Sequence, residues 1–117
     1  MTDNLTDRAA LTAQAKIKHC VYLEFKPIYN HFDRLAIFQK LADLQPIIDG
    51  FLSIEFGDNL DFENKTSCNA GFIIDFASET ALLNYADHPA HKKIGTQLVK
   101  MAEGGADAIM VYDILVA

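Results

Sequence analysis

Basic residues are scarce in this chain. Ten lysines and arginines stand against sixteen aspartates and glutamates, a net charge of −6. The basic residues are also scattered, and only Lys92 and Lys93 are adjacent. A nucleic-acid partner is therefore excluded, because phosphate-backbone affinity rests on clustered Lys and Arg. Cysteine is almost absent: Cys20 and Cys68 are the only two, with no metal-ligand spacing. They read as reduced, buried thiols of a cytoplasmic protein. No apolar run approaches the ~18–20 residues that span a bilayer, so no membrane partner is expected. The first residues, Met-Thr-Asp-Asn-Leu-Thr-Asp, lack the basic and apolar regions of a secretion signal. Length is limiting too, since 117 residues leave no room for a second full domain. What is present is a chain half apolar and 22% charged, the balance of a globular domain.

Residues 1–16 have little hydrophobic periodicity and read as a flexible N-terminal arm. Residues 17–117 then read as one domain. Ile17, His19, Val21, Leu23 and Phe25 alternate with Lys18, Cys20, Tyr22 and Glu24, which makes a strand with one drier face. Phe32, Leu35, Ile37, Phe38, Leu41 and Leu44 step by three and four, which predicts a helix over 31–44. Phe51–Phe56 is a second strand, 57–65 a polar loop, and Cys68–Phe76 a third strand. Ser78 is a fitting N-cap for a helix from Glu79 to about Ala86. Pro89 stops that helix and sits well in the first turn of another, from about His88 to Ala102. A last apolar strand covers Ala108–Leu115. The order β-α-β-β-α-α-β is that of an α+β, ferredoxin-like antiparallel sheet with its second helix split. Helices on one face leave the other bare. That bare face carries Cys20, Tyr22, Ile73 and either Met110, Tyr112 and Ile114 or their neighbours. It is too apolar for water, so a homodimer is expected.

Four histidines are the candidates for chemistry. His19 stands on the drier face of the first strand, either as a core imidazole or as a polar group in a sheet–helix pocket. His31, at the start of the first helix, reads as solvated or capping. His88 and His91 are three apart at a helix start, but no third ligand is evident, so no metal site is expected. His88 has a capping or packing role as its plain alternative. Tyr85 is either ordinary core or a hydrogen-bond donor into the same cavity as His91. Pro89 bends the Tyr85–His91 segment, which lets those two side chains turn toward one centre, with His19 below them. Gly104-Gly105 lacks the strand–loop–helix context of a phosphate cradle.

The segment His19-Cys-Val-Tyr-Leu-Glu-Phe-Lys-Pro resembles the first strand of the stress-responsive dimeric α/β-barrel (Dabb) family. Phe51-Leu-Ser-Ile-Glu-Phe-Gly resembles its second strand, and Val111-Tyr-Asp its closing strand. The run from Phe76 through Tyr85 and His88-Pro-Ala-His91 is similar to the family's F-x-S-x-E-x-L-x-x-Y-x-x-H-P-x-H signature. The resemblance spans about 17–115 and implies a ferredoxin-like protomer that joins a second one to form a barrel. Through the olivetolic acid cyclase-type polyketide cyclases of the family, it implies catalytic roles for Tyr85 and His91. His91 would be the general base, without a cofactor. It further implies a substrate pocket of His19, Val21, Leu23, Phe72 and Ile94 for a small, largely apolar carbonyl metabolite. The alternative is a non-catalytic, stress-associated dimer that binds a ligand or serves structure. The chain departs from the pattern at Glu103-Gly104-Gly105-Ala106, which reads as an insertion.

Overall fold

The computed structural model describes residues 15–116; all but the last two residues of the N-terminal arm therefore lie outside the described part. The strands are β1 (Ile17–Leu23), β2 (Phe51–Asp58), β3 (Ala70–Phe76) and β4 (Met110–Leu115). The helices are α1 (His31–Ala42), α2 (Glu79–Asp87) and α3 (Pro89–Met101), with a 3₁₀ turn at Ala106–Ala108. The strands form one antiparallel sheet in the order β2-β3-β1-β4. This is the ferredoxin-like α+β architecture that the element order predicts.

Local chemistry sets the element ends. Asn30 caps α1: its side chain accepts the Asp33 N–H at 2.9 Å, and the Asp33 carboxylate accepts the Asn30 N–H at 2.9 Å. Ser78 caps α2 by accepting the Ala81 N–H at 3.2 Å. The helices lie over β1, β2 and β3, and the core between the layers holds Leu23, Phe25, Phe38, Leu41, Ile74 and Phe76. Asn69 ties the entry of β3 to the exit of β1, accepting the Phe25 N–H at 2.8 Å and donating to its carbonyl at 3.2 Å.

Three sequence readings need correction. His31 is solvated and is not the cap: Asn30 holds the cap, and His31 Nδ1 lies 2.6 Å from the Asp58 carboxylate. Asp58 itself belongs to β2, not to the loop. Cys68 precedes β3, which begins at Ala70, and it is only half-buried; Cys20 alone is the buried thiol. The register fixes β4, by contrast. Met110, Tyr112 and Ile114 stand opposite Tyr22, Cys20 and Lys18, on the bare face.

Asp58 also takes a two-pronged contact from Arg34, with Nε at 3.0 Å and Nη2 at 2.9 Å. The Arg34 hydrogen bond, aided by His31, holds the Asp58 carboxyl below the usual carboxylate range against the opposing effect of burial. A carboxyl depressed in the folded state adds stability above its unfolded pKa and loses it as pH falls through the folded one. Solvent reaches the pair, so the gain is modest. Asp58→Asn should cost about 1 kcal/mol at neutral pH in urea titrations. The difference from wild type should shrink to nothing below the carboxylate range. An undiminished difference in acid would assign the loss to another cause.

Candidate functional site

The bend between α2 and α3 is built by three adjacent residues. His88 has φ −67° and ψ 131°, the extended setting that a residue before proline must take. Pro89 occupies the first position of α3, where its missing N–H costs nothing. His88 therefore closes α2 and opens α3, and its Nδ1 accepts the Ala90 N–H at 3.1 Å. The capping alternative for His88 is the one the geometry shows.

The bend brings Tyr85 and His91 together, with ring centroids 4.1 Å apart and planes inclined by 39°. His19 comes up from β1, its ring 5.7 Å from that of Tyr85. Phe76 at 5.0 Å and Phe51 at 5.9 Å complete the surroundings of the phenol. Tyr85 is 1% exposed, and its hydroxyl has no hydrogen-bond partner among the described residues. Burial pushes the phenol pKa up, so Tyr85 is a neutral donor.

The two imidazoles have defined proton positions. His91 Nδ1 lies 3.2 Å from the Ala86 carbonyl, which can only accept, so Nδ1 carries the proton. Its Nε2 is then the free lone pair. Desolvation lowers the His91 pKa, opposed by that carbonyl and assisted by neighbouring His19, His88 and Lys92. The ring is thus an unprotonated base at neutral pH. His19 Nδ1 lies 2.6 Å from the Asp113 carboxylate, an acceptor that places a proton on that nitrogen and orients the ring. Asp113 was not singled out in the sequence. Its only signal is the β1–β4 register, which sets His19 directly opposite it.

The other pocket candidates are deeper. Val21, Leu23, Phe72 and Ile94 are 3%, 0%, 4% and 8% exposed, and all belong to the packed core. The Phe72 ring lies 6.1 Å from that of His19. Solvent meets the site at half-buried His91 and at His19, whose side chain is 13% exposed. A hollow of about 650 Å³ lies away from this cluster, on the bare side of the sheet. It forms where Gly57 and Gly71 stand opposite each other, walled by Tyr22, Cys68, Met110 and Tyr112. Among the described residues, no three His, Cys, Asp or Glu side chains gather as a metal-ligand set.

The profile of the stress-responsive A/B barrel domain matches residues 17–116. The chain belongs to the Dabb family. A dimeric ferredoxin-like protein of unknown function from Jannaschia sp. CCS1 is 35% identical, with a TM-score of 0.78 over 86% of this chain and 99% of that one. A Dabb protein from Mesorhizobium loti is 21% identical, with a TM-score of 0.71 over 89% and 99%. A hydroxynitrile lyase from Passiflora edulis is 16% identical, with a TM-score of 0.74 over 89% and 95%, a likeness of fold alone. No curated protein matches the sequence. The boundary of the Dabb match at Ile17 coincides with the start of β1. No helix among the described residues is long and apolar enough to cross a membrane.

Proposed function

We propose that the Tyr85–His91–His19 cluster binds a small, largely apolar carbonyl compound and moves a proton at the carbon beside that carbonyl. The observation that carries this reading is the Tyr85 hydroxyl: buried, neutral and without a partner among the described residues, next to an imidazole with a free nitrogen. An orphaned buried donor is costly unless something accepts from it. A substrate carbonyl oxygen is such an acceptor. His91 Nε2 takes the proton from the adjacent carbon, and the electron pair moves into the carbonyl as an enolate. The Tyr85 hydroxyl donates to the enolate oxygen. His19, held by Asp113, lines the site beside the Tyr85 ring and limits how the substrate can lie. Return of the proton gives exchange; attack of the enolate carbon on a second carbonyl gives cyclase-like ring closure. No cofactor takes part in either.

The test uses 2-heptanone in D₂O, followed by proton NMR. The hydrogens beside the carbonyl should wash out ~10²–10⁴ times faster with protein than with equal free imidazole. The rate should hold at neutral pH and decline only below the ordinary imidazole range, because the His91 pKa is lowered. No acceleration and no shift of Tyr85, His19 or His91 signals would leave the non-catalytic dimer as the better reading.

The functional unit in this proposal is a homodimer in the cytoplasm, formed through the bare sheet face. Met110, Tyr112 and Ile114 are 42%, 51% and 51% exposed there. A contiguous apolar strip of that kind marks an interface. The free thiols of Cys20 and Cys68 suit a reducing compartment.

A further inference from the structure

His88 serves two helices at once. Its N–H donates to the Tyr85 carbonyl at 3.1 Å, and its carbonyl accepts the Lys92 N–H at 3.0 Å. Its imidazole Nδ1 takes the Ala90 N–H, one of the donors that a helix start leaves unpaired. Ser, Thr, Asp and Asn usually do this, so an imidazole cap is unusual. Tyr85 lies on one side of the joint, in the last turn of α2; His91 lies on the other, in the first turn of α3. The His91 Nδ1–H reaches back across the joint to the Ala86 carbonyl. The 4.1 Å stack of phenol on imidazole thus depends on how the two helix ends are set against each other. Helix ends fray when their first donors lack partners, and His91 is in the turn that would fray.

We propose that His88 is a positioning residue, whose imidazole caps α3 and so holds the His91 ring against Tyr85. This rests on the reading of Tyr85 and His91 as the binding pair. The imidazole can accept through Nδ1 only while its single proton sits on Nε2. The groups acting on His91 are His19 with its partner Asp113 on the sheet side, Lys92 on α3, and His88 itself. Of these, only His88 accepts from the backbone of the first turn of α3.

His88→Ala and His88→Asn separate the cap from the ring. Both remove the imidazole, but asparagine restores an acceptor for the Ala90 N–H. NMR of the His91 ring is the readout. In wild type and His88→Asn, the ring protons should carry the upfield shift of a ring stacked on Tyr85. In His88→Ala, at least half of that shift should disappear, and the ring should titrate closer to a free imidazole. Identical His91 signals in both variants would overturn the proposal. If His88→Ala does not fold, wild type still decides: a nitrogen–nitrogen coupling across the hydrogen bond should link the Ala90 amide to His88 Nδ1, and its absence overturns the cap. None of these readouts needs a ligand. Failure of 2-heptanone to bind, with the two variants differing as stated, counts against the function and not against the positioning. Equal binding of 2-heptanone by all three proteins, with equal His91 signals, counts against the positioning alone.

Discussion

Tyr85→Phe should yield a protein that melts higher and has lost its ligand. The phenol ring packs against Phe76, Phe51, His19 and His91, and phenylalanine keeps all of those contacts. What disappears is a hydroxyl, inside a residue 1% exposed, that bonds to nothing among the described residues. A buried donor left unsatisfied costs roughly 1–3 kcal/mol. Removing it should therefore raise the melting temperature by several degrees, given about 4–8 °C per kcal/mol for a domain near this size. The same deletion strips the cluster of the donor that the proposal assigns to an enolate oxygen. Binding or exchange of 2-heptanone should fall by roughly 10–100-fold, the equivalent of about 1.4–2.7 kcal/mol. Stability gained with function lost is the signature of a polar group retained for a ligand. His91→Ala makes the complementary case. It should abolish exchange while leaving the dimer and the melting temperature nearly unchanged, because the ring is only half-buried. Calorimetry and exchange on the two variants decide together. A Tyr85→Phe variant that melts lower would give the hydroxyl a structural role. A His91→Ala protein that loses several kcal/mol, with no ligand ever bound, would make the histidine structural and remove the enzyme reading.

The parts of this fold that were legible in the sequence are those set by local rules. Alternation over 17–25 marks β1 and its dry face, because a strand repeats every two residues. Pro89 locates the break between α2 and α3 to within about one residue, because proline constrains its own φ and its neighbour's ψ. Ser78 names its helix start by itself. The parts that were not legible depend on register and depth. Asp113 meets His19 across 94 residues of chain, and no spacing rule connects them until β1 and β4 are paired. His31 meets Asp58 across 27 residues for the same reason. Whether Met110, Tyr112 and Ile114 or their neighbours faced away from the helices turned on a shift of one residue, which inverts every side chain. Depth is a separate matter: periodicity shows which face Tyr85 and Phe72 occupy, but not that both are enclosed by the core. The residues of the candidate site were thus visible individually, and the acceptors that orient their imidazoles were not.

Tyr112→Asp should convert the protein from a species near twice 13.0 kDa to one near 13.0 kDa in sedimentation at micromolar concentration. Tyr112 sits in the middle of β4, between Met110 and Ile114 on the bare face, and its ring lies 6.2 Å from that of Tyr22. It is 51% exposed in the protomer, so an aspartate there can keep its hydration and leave the fold intact. In a dimer that buries this face, the same carboxylate must give up its hydration, and its cross-strand neighbour Cys20 offers no charge to pair with it. A tyrosine at the centre of an interface is also a common anchor, and its loss alone costs about 2 kcal/mol or more. Desolvation adds to that, so the dissociation constant should rise by roughly 10³-fold or more. β4 has a second exposed side: Val111 and Leu115, 50% and 39% exposed, face the helix layer but lie beyond the strands that the helices cover. An edge strand apolar on both faces exposes unpaired backbone as well as side chains, and a second copy covers both. Val111→Asp should therefore weaken the dimer too, but less than Tyr112→Asp, since it lies at the margin of the buried face. Far-ultraviolet circular dichroism must match wild type in both variants. A Tyr112→Asp protein that is folded and still dimeric would move the interface to another surface, and the hollow at Gly57 and Gly71 would then stand open to solvent.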